Sequence, residues 1–131
     1  MIEGMGKRTD VRSEQLKDRT KQFAIGIVRL FRSLPKADEA RVIGRQLLRS
    51  GTSVAANYRA VCRARSKAEF AAKMGVVVEE ADETVFWLEM LVDTDTMSNN
   101  EIDGLLTEGN ELLAIFAASQ RTAKMNKRTQ K

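Results

Sequence analysis

The sequence predicts an all-α protein, an up-down-up-down four-helix bundle, on three observations. Apolar residues recur at spacings of three, four and seven along four segments of roughly 20 to 30 residues, the period of a helix with one buried face. A single proline, Pro35, and 5% aromatic residues oppose the turn-rich, short-strand pattern of all-β folds. Two runs, Ser66-Lys67-Ala68-Glu69 and Ser98-Asn99-Asn100-Glu101, each set a serine three residues ahead of a glutamate at the head of an apolar run, the arrangement that caps a helix start. With 131 residues, 43% of them apolar, the chain 1–131 suits one domain around one core.

The first helix is expected over 10–33, with Leu16, Phe23, Ile27, Leu30, Phe31 and Leu34 on one stripe and Pro35 marking its end. The second, over 36–65, contains Ser50-Gly51-Thr52-Ser53, residues that usually open or close helices. Yet Leu47, Val54 and Val61 stay in phase across them at heptad spacing, so the spacing predicts one unbroken helix with a narrow waist where another helix approaches closely. The alternative is a kink or break at Gly51. The third helix, 67–93, carries Phe70, Met74, Val77, Ala81, Val85, Leu88, Leu91 and Val92 inward. The fourth, 99–121, carries Ile102, Leu105, Leu106, Leu112, Leu113 and Phe116. Residues 1–9 and 122–131 are expected to be flexible termini.

Charge is laid out element by element, although the net value is only +4. Residues 40–67 hold seven basic and no acidic groups, residues 68–95 one basic and eight acidic, and residues 112–131 five basic and none acidic. Cys62 is the only cysteine, which rules out an intrachain disulfide. The N-terminus has no apolar signal region, and no run approaches the roughly 18 apolar residues of a membrane span. A cytoplasmic protein that does not enter the membrane is expected.

The stretch QLLRSGTSVAANYRAVCRARSKAEFAAKMGVVVEEADETVFWLEML resembles the core of the 23S rRNA intervening-sequence proteins, also called an S23 ribosomal protein family. The specific parts are Gln46-Leu47-Leu48-Arg49, Ser53-Val54-Ala55-Ala56-Asn57, Arg65-Ser66-Lys67-Ala68-Glu69-Phe70 and Glu80-Ala81-Asp82-Glu83. The resemblance implies a left-handed four-helix bundle assembled as a homopentamer. It also implies kinship with the accessory protein of diversity-generating retroelements, a basic barrel that partners a reverse transcriptase and binds nucleic acid. The family name describes the location of genes inside ribosomal RNA genes and brings no enzymatic reaction with it. Where many members carry a proline, this chain has alanines at 55 and 56, which favour an unbroken helix.

Arg41, Arg45, Arg49, Arg59 and Arg63 project within about 80° of one another down the second helix at 100° per residue, forming a guanidinium ridge suited to phosphate. The competing reading pairs this ridge with the acids of the third helix, Glu69, Glu79, Glu80, Asp82, Glu83, Glu89 and Asp93, within or between subunits. The basic tail with Lys124, Lys127 and Arg128 is a further polyanion-binding candidate, or else solubilises the chain. Tyr58 is a candidate for stacking on a base, or else packs beside the core stripe. Val76, Phe86, Trp87 and Met90 lie opposite the inward face of the third helix and suggest an oligomer interface; the alternative is a monomer in which Trp87 covers a core edge. With no histidine in the chain, the usual general base and the histidine-containing triads are missing, so no catalytic residues, cofactor or metal are expected. Nucleic acid, RNA or DNA, and further copies of the chain are the expected partners.

Overall fold

A computed structural model describes the backbone over residues 2–129 and side-chain surroundings over residues 11–126. It contains α1 (Ile2–Ser33), α2 (Asp38–Val61), α3 (Lys67–Asp93) and α4 (Asn99–Thr129), with no strand among the described residues. Each helix packs against its neighbours in sequence and α1 closes the ring on α4, that last seam being the loosest. Side-chain register makes the neighbours antiparallel. Gly51 faces Ile27 while Gly44 faces Leu34, and Gly109 faces Val85 while Gly75 faces Gln120. The expected up-down-up-down bundle is therefore the observed one.

The core draws on all four helices through Phe23, Ile27, Leu47, Val54, Val77, Leu88, Leu112 and Phe116, all nearly or fully buried. Phe31, Leu34, Phe70 and Leu105, expected inside, are only half-buried at its margin. The hydroxyls of Thr20, Ser50 and Thr84 are buried among these apolar groups and each is satisfied within its own helix. Thr20 donates to the Leu16 carbonyl at 2.8 Å, Ser50 to that of Leu47 at 3.3 Å and Thr84 to that of Glu80 at 2.7 Å. Among the described residues no helix is long and apolar enough to cross a membrane.

α2 runs unbroken through Ser50-Gly51-Thr52-Ser53, as the phase of its stripe predicts. A Cβ on Gly51 would lie 2.8 Å from Ile27 Cγ1, so the missing side chain is what admits the buried isoleucine of α1. Thr52 donates to the Leu48 carbonyl at 2.7 Å, which keeps its hydroxyl from competing with the helix.

Helix ends differ from expectation in four places. α2 begins at Asp38, two residues after the predicted start, because Ala37 is extended at φ −124°. It closes at Val61, where Arg63 N–H and Ala64 N–H tighten onto the carbonyls three residues back. The extended backbone of Ser66 (φ −150°) needs that exit, since its hydroxyl accepts the Glu69 N–H at 3.0 Å to cap α3. Ser98 behaves otherwise: its hydroxyl donates to the Glu101 carboxylate at 3.3 Å. Finally, α1 reaches back to Ile2 and α4 onward to Thr129, so helix continues through most of both expected flexible termini. In α4 the alanine, lysine, methionine and arginine of the tail favour helix, and cations near a C-terminus suit its dipole.

α3 stops on a Schellman turn. Thr96 N–H reaches the Leu91 carbonyl at 2.9 Å and Asp95 N–H that of Val92 at 3.0 Å, with Asp95 in the left-handed region at φ 56°.

Candidate nucleic-acid interface

α2 offers two long edges, one beside α1 and one beside α3, and the ridge arginines do not all face the same one. Arg49 turns to α3: one guanidinium nitrogen donates to Glu80 at 3.0 Å and the other to Glu83. Its own burial works to lower its pKa, and the charges of Glu80 and Glu83 more than offset that, so the group is held above its ordinary value. Arg49 is spent on the α2–α3 seam.

Arg41 and Arg59 stand on the other edge. Arg41 lines a notch of about 290 Å3 with Phe31, Leu34, Pro35 and Lys36. Arg59 lines a groove of about 470 Å3 whose α1 wall is Glu14, Lys17, Asp18 and Lys21 and whose α2 floor is Thr52, Ala55 and Ala56. Arg45 is exposed between them. Among the described residues no carboxylate lies within 4.0 Å of Arg41, Arg45, Arg59 or Arg63. Arg63 is exposed too but sits on the turn after α2, so the helical ridge runs from Arg41 to Arg59, about 27 Å at 1.5 Å per residue.

Lys17, Lys21 and Lys36 join this edge from α1 and the α1–α2 connection, and they are not among the residues expected from the sequence. The available signal was the four-residue spacing of Lys17 and Lys21, which sets both on one face of α1. The edge is not uniformly basic. Lys17 donates to Glu14 at 2.9 Å, which raises its pKa, and Asp18 lies in the same groove.

The tail is placed less fully. Lys124 is exposed on α4, whereas the side chains of Lys127 and Arg128 lie outside the described residues. Tyr58 packs in the core rather than offering a surface for a base: it is buried, with its ring 5.3 Å from that of Phe116. Burial pushes its phenol up to about 12, with the neighbouring Cys62 adding to the shift.

On the outward side of α3, Val76 is 43% and Phe86 48% exposed, while Trp87 and Met90 are half-buried. Phe86 meets Trp87 edge-on at 4.8 Å, and Trp87 packs on the core margin. The Trp87 indole N–H is buried without a hydrogen-bond partner among the described residues. Elsewhere the α1–α4 seam is held by Arg19, which donates to Glu108 through two nitrogens at 3.0 and 2.7 Å and to Glu111 at 3.0 Å. The Glu108 hydrogen bonds raise its pKa against the cost of burial. The acids of α3 do not converge: among the described residues no three of His, Cys, Asp and Glu are grouped to hold a metal ion.

A model of the 23S rRNA-intervening sequence protein family matches residues 12–118. Among solved structures, the chain is similar to a protein of unknown function from the S23 ribosomal protein family of Bacteroides thetaiotaomicron. The two are 31% identical with a TM-score of 0.76, over 83% of this chain and 97% of that one. No curated protein matches the chain.

Proposed function

Because the chain belongs to the 23S rRNA-intervening sequence protein family, we propose that it is a non-catalytic helical module that binds the phosphate backbone of RNA or DNA along the α1 edge of α2. One observation carries the reading: Arg41, Arg45, Arg59 and Arg63 are exposed with no carboxylate in reach among the described residues, while Arg49 is the ridge arginine with acidic partners. A row of like charges repels itself, and among the described residues no ion pair within 4.0 Å offsets it. Phosphates along a strand would relieve that repulsion and release counterions.

The test is a fluorescence anisotropy titration of a labelled ~30-nucleotide RNA and of the matching DNA duplex, from about 50 to 300 mM salt. A linear fall of log affinity with log salt, equivalent to several released counterions, is expected. Flat anisotropy at the lowest salt, with the protein intact, would remove the reading.

A second reading is favoured by the outward face of α3. Phe86 and Val76 are exposed, and the Trp87 N–H has no partner among the described residues, so this face would gain by packing on a second copy of the chain. Five copies is the number the family resemblance suggests, and a protein partner such as a reverse transcriptase would meet the assembled ring. Phe86→Asp is expected to lower the mass found by sedimentation; an unchanged mass would take this face out of any assembly.

A further inference from the structure

An open cavity of about 700 Å3 lies at the end of the bundle where α1, the α2–α3 connection and the C-terminal half of α4 meet. It falls within the roughly 300–1,000 Å3 of small-ligand sites. Among the described residues three cations line it, Arg12 from α1, Arg65 from the connection and Lys67 from the first turn of α3, and no acid does. Among the described residues none of the three has a carboxylate within 4.0 Å. The rest of the lining is different in kind. Phe70 presents a half-buried aromatic ring, and Ala118 on α4 supplies a short apolar surface beside the hydroxyls of Ser119 and Thr122.

Three cations together with an aromatic ring, a short apolar surface and hydroxyls suit a ligand with a strongly charged end and a flat, partly polar body. We propose that this cavity is a nucleotide site: it holds one phosphorylated nucleotide with its phosphomonoester between Arg12, Arg65 and Lys67 and its base against Phe70. A terminal phosphate carries about −1.5 to −2 charges, which three guanidinium and ammonium groups match better than the single charge of an internal phosphodiester. Aromatic rings take bases by stacking without regard to their identity. An inorganic anion would leave the apolar wall unused. This goes beyond backbone binding on the α1 edge, because it recognises an end at a cavity rather than a run along a ridge.

Calorimetric titration with AMP and with adenosine, at about 50 mM salt, tests it. The result expected is binding of AMP at least tenfold tighter than adenosine. Arg65→Glu combined with Lys67→Glu is expected to weaken AMP at least tenfold, and Arg12→Glu, on another helix, to do the same with an unchanged melting curve. Arg41→Glu with Arg45→Glu, remote from the cavity, is expected to leave AMP binding as it is. Two further arms separate the sources of the phosphate. A 5′-phosphorylated ten-mer that binds several-fold tighter than its 5′-hydroxyl twin assigns the site to strand ends; AMP binding with no such preference assigns it to free nucleotides. Equal affinity for AMP and adenosine, no heat with AMP at millimolar concentration, or AMP binding indifferent to both sets of cavity variants would overturn the proposal. RNA binding without AMP binding sinks this site alone, and AMP binding without RNA binding sinks the backbone reading alone.

Discussion

The two edges of α2 carry the same residue type to opposite ends. Beside α3, Arg49 is locked between Glu80 and Glu83 and contributes to the seam. Beside α1, eight residues earlier and ten later, Arg41 and Arg59 line open grooves with no carboxylate in ion-pair reach among the described residues. The lesson is that a charge ridge read from one helix is a set of options. The neighbouring helices decide which guanidiniums are consumed by the fold and which are left for a partner.

The largest effect should come from reversing the exposed edge. Arg41→Glu, Arg45→Glu and Arg59→Glu together are expected to weaken RNA binding roughly a hundredfold or more near 0.1 M salt, since each phosphate of a single strand no longer neutralised takes about 0.7 off the log–log salt slope. The melting temperature of this variant should hold or rise as self-repulsion is relieved. A loss of folding instead would mean the edge is structural, and the comparison would break.

The buried side of α2 gives the next test. Tyr58 has a folded-state pKa of about 12, above the usual tyrosine value near 10, so the fold favours the neutral phenol. Its contribution is fully present below pH 10 and is lost as pH rises from 10 through 12. Tyr58→Phe should flatten that part of the stability curve measured by urea unfolding; an unaltered pH dependence would show that other groups cause it.

Gly51 sharpens the contrast from beneath the exposed edge. Gly51→Ala places a methyl 2.8 Å from Ile27, a fully buried side chain, and is expected to destabilise by about 1 to 2 kcal/mol despite the better helix propensity. Gly26→Ala, whose methyl meets the far end of Leu105 at 2.9 Å, should be neutral or slightly stabilising because that half-buried side chain can turn away. If both cost the same by thermal unfolding, the waist of α2 has no special role. Smallest of all is the paired edge: Arg49→Ala is expected to cost about 1 kcal/mol or less, since the guanidinium is half exposed and its ion pairs are screened.

Much of the bundle was legible in the sequence because each of its signals is local. The stripe of Leu47, Val54 and Val61 keeps phase through Gly51, and Ser66 with Glu69 marks the start of α3 where the cap is found. What was not legible depends on neighbours. A projection down α2 sets Arg49 about 40° from Arg45 at 100° per residue, too little to separate them until the side on which α3 packs is known. Ser98 and Glu101 have the same spacing as Ser66 and Glu69 but make a side-chain pair instead, which spacing cannot distinguish. The end cavity gathers Arg12, Arg65 and Thr122 from three remote parts of the chain, and no motif connects them.

The most direct measurement compares two arginines one helical turn apart. The salt dependence of RNA affinity is measured by anisotropy for Arg45→Ala and Arg49→Ala beside the unaltered protein. The expected result is a slope shallower by about 0.7 for Arg45→Ala and an unchanged slope for Arg49→Ala. Equal slopes for the two variants, or a larger change at Arg49, would contradict the division of the ridge between fold and partner.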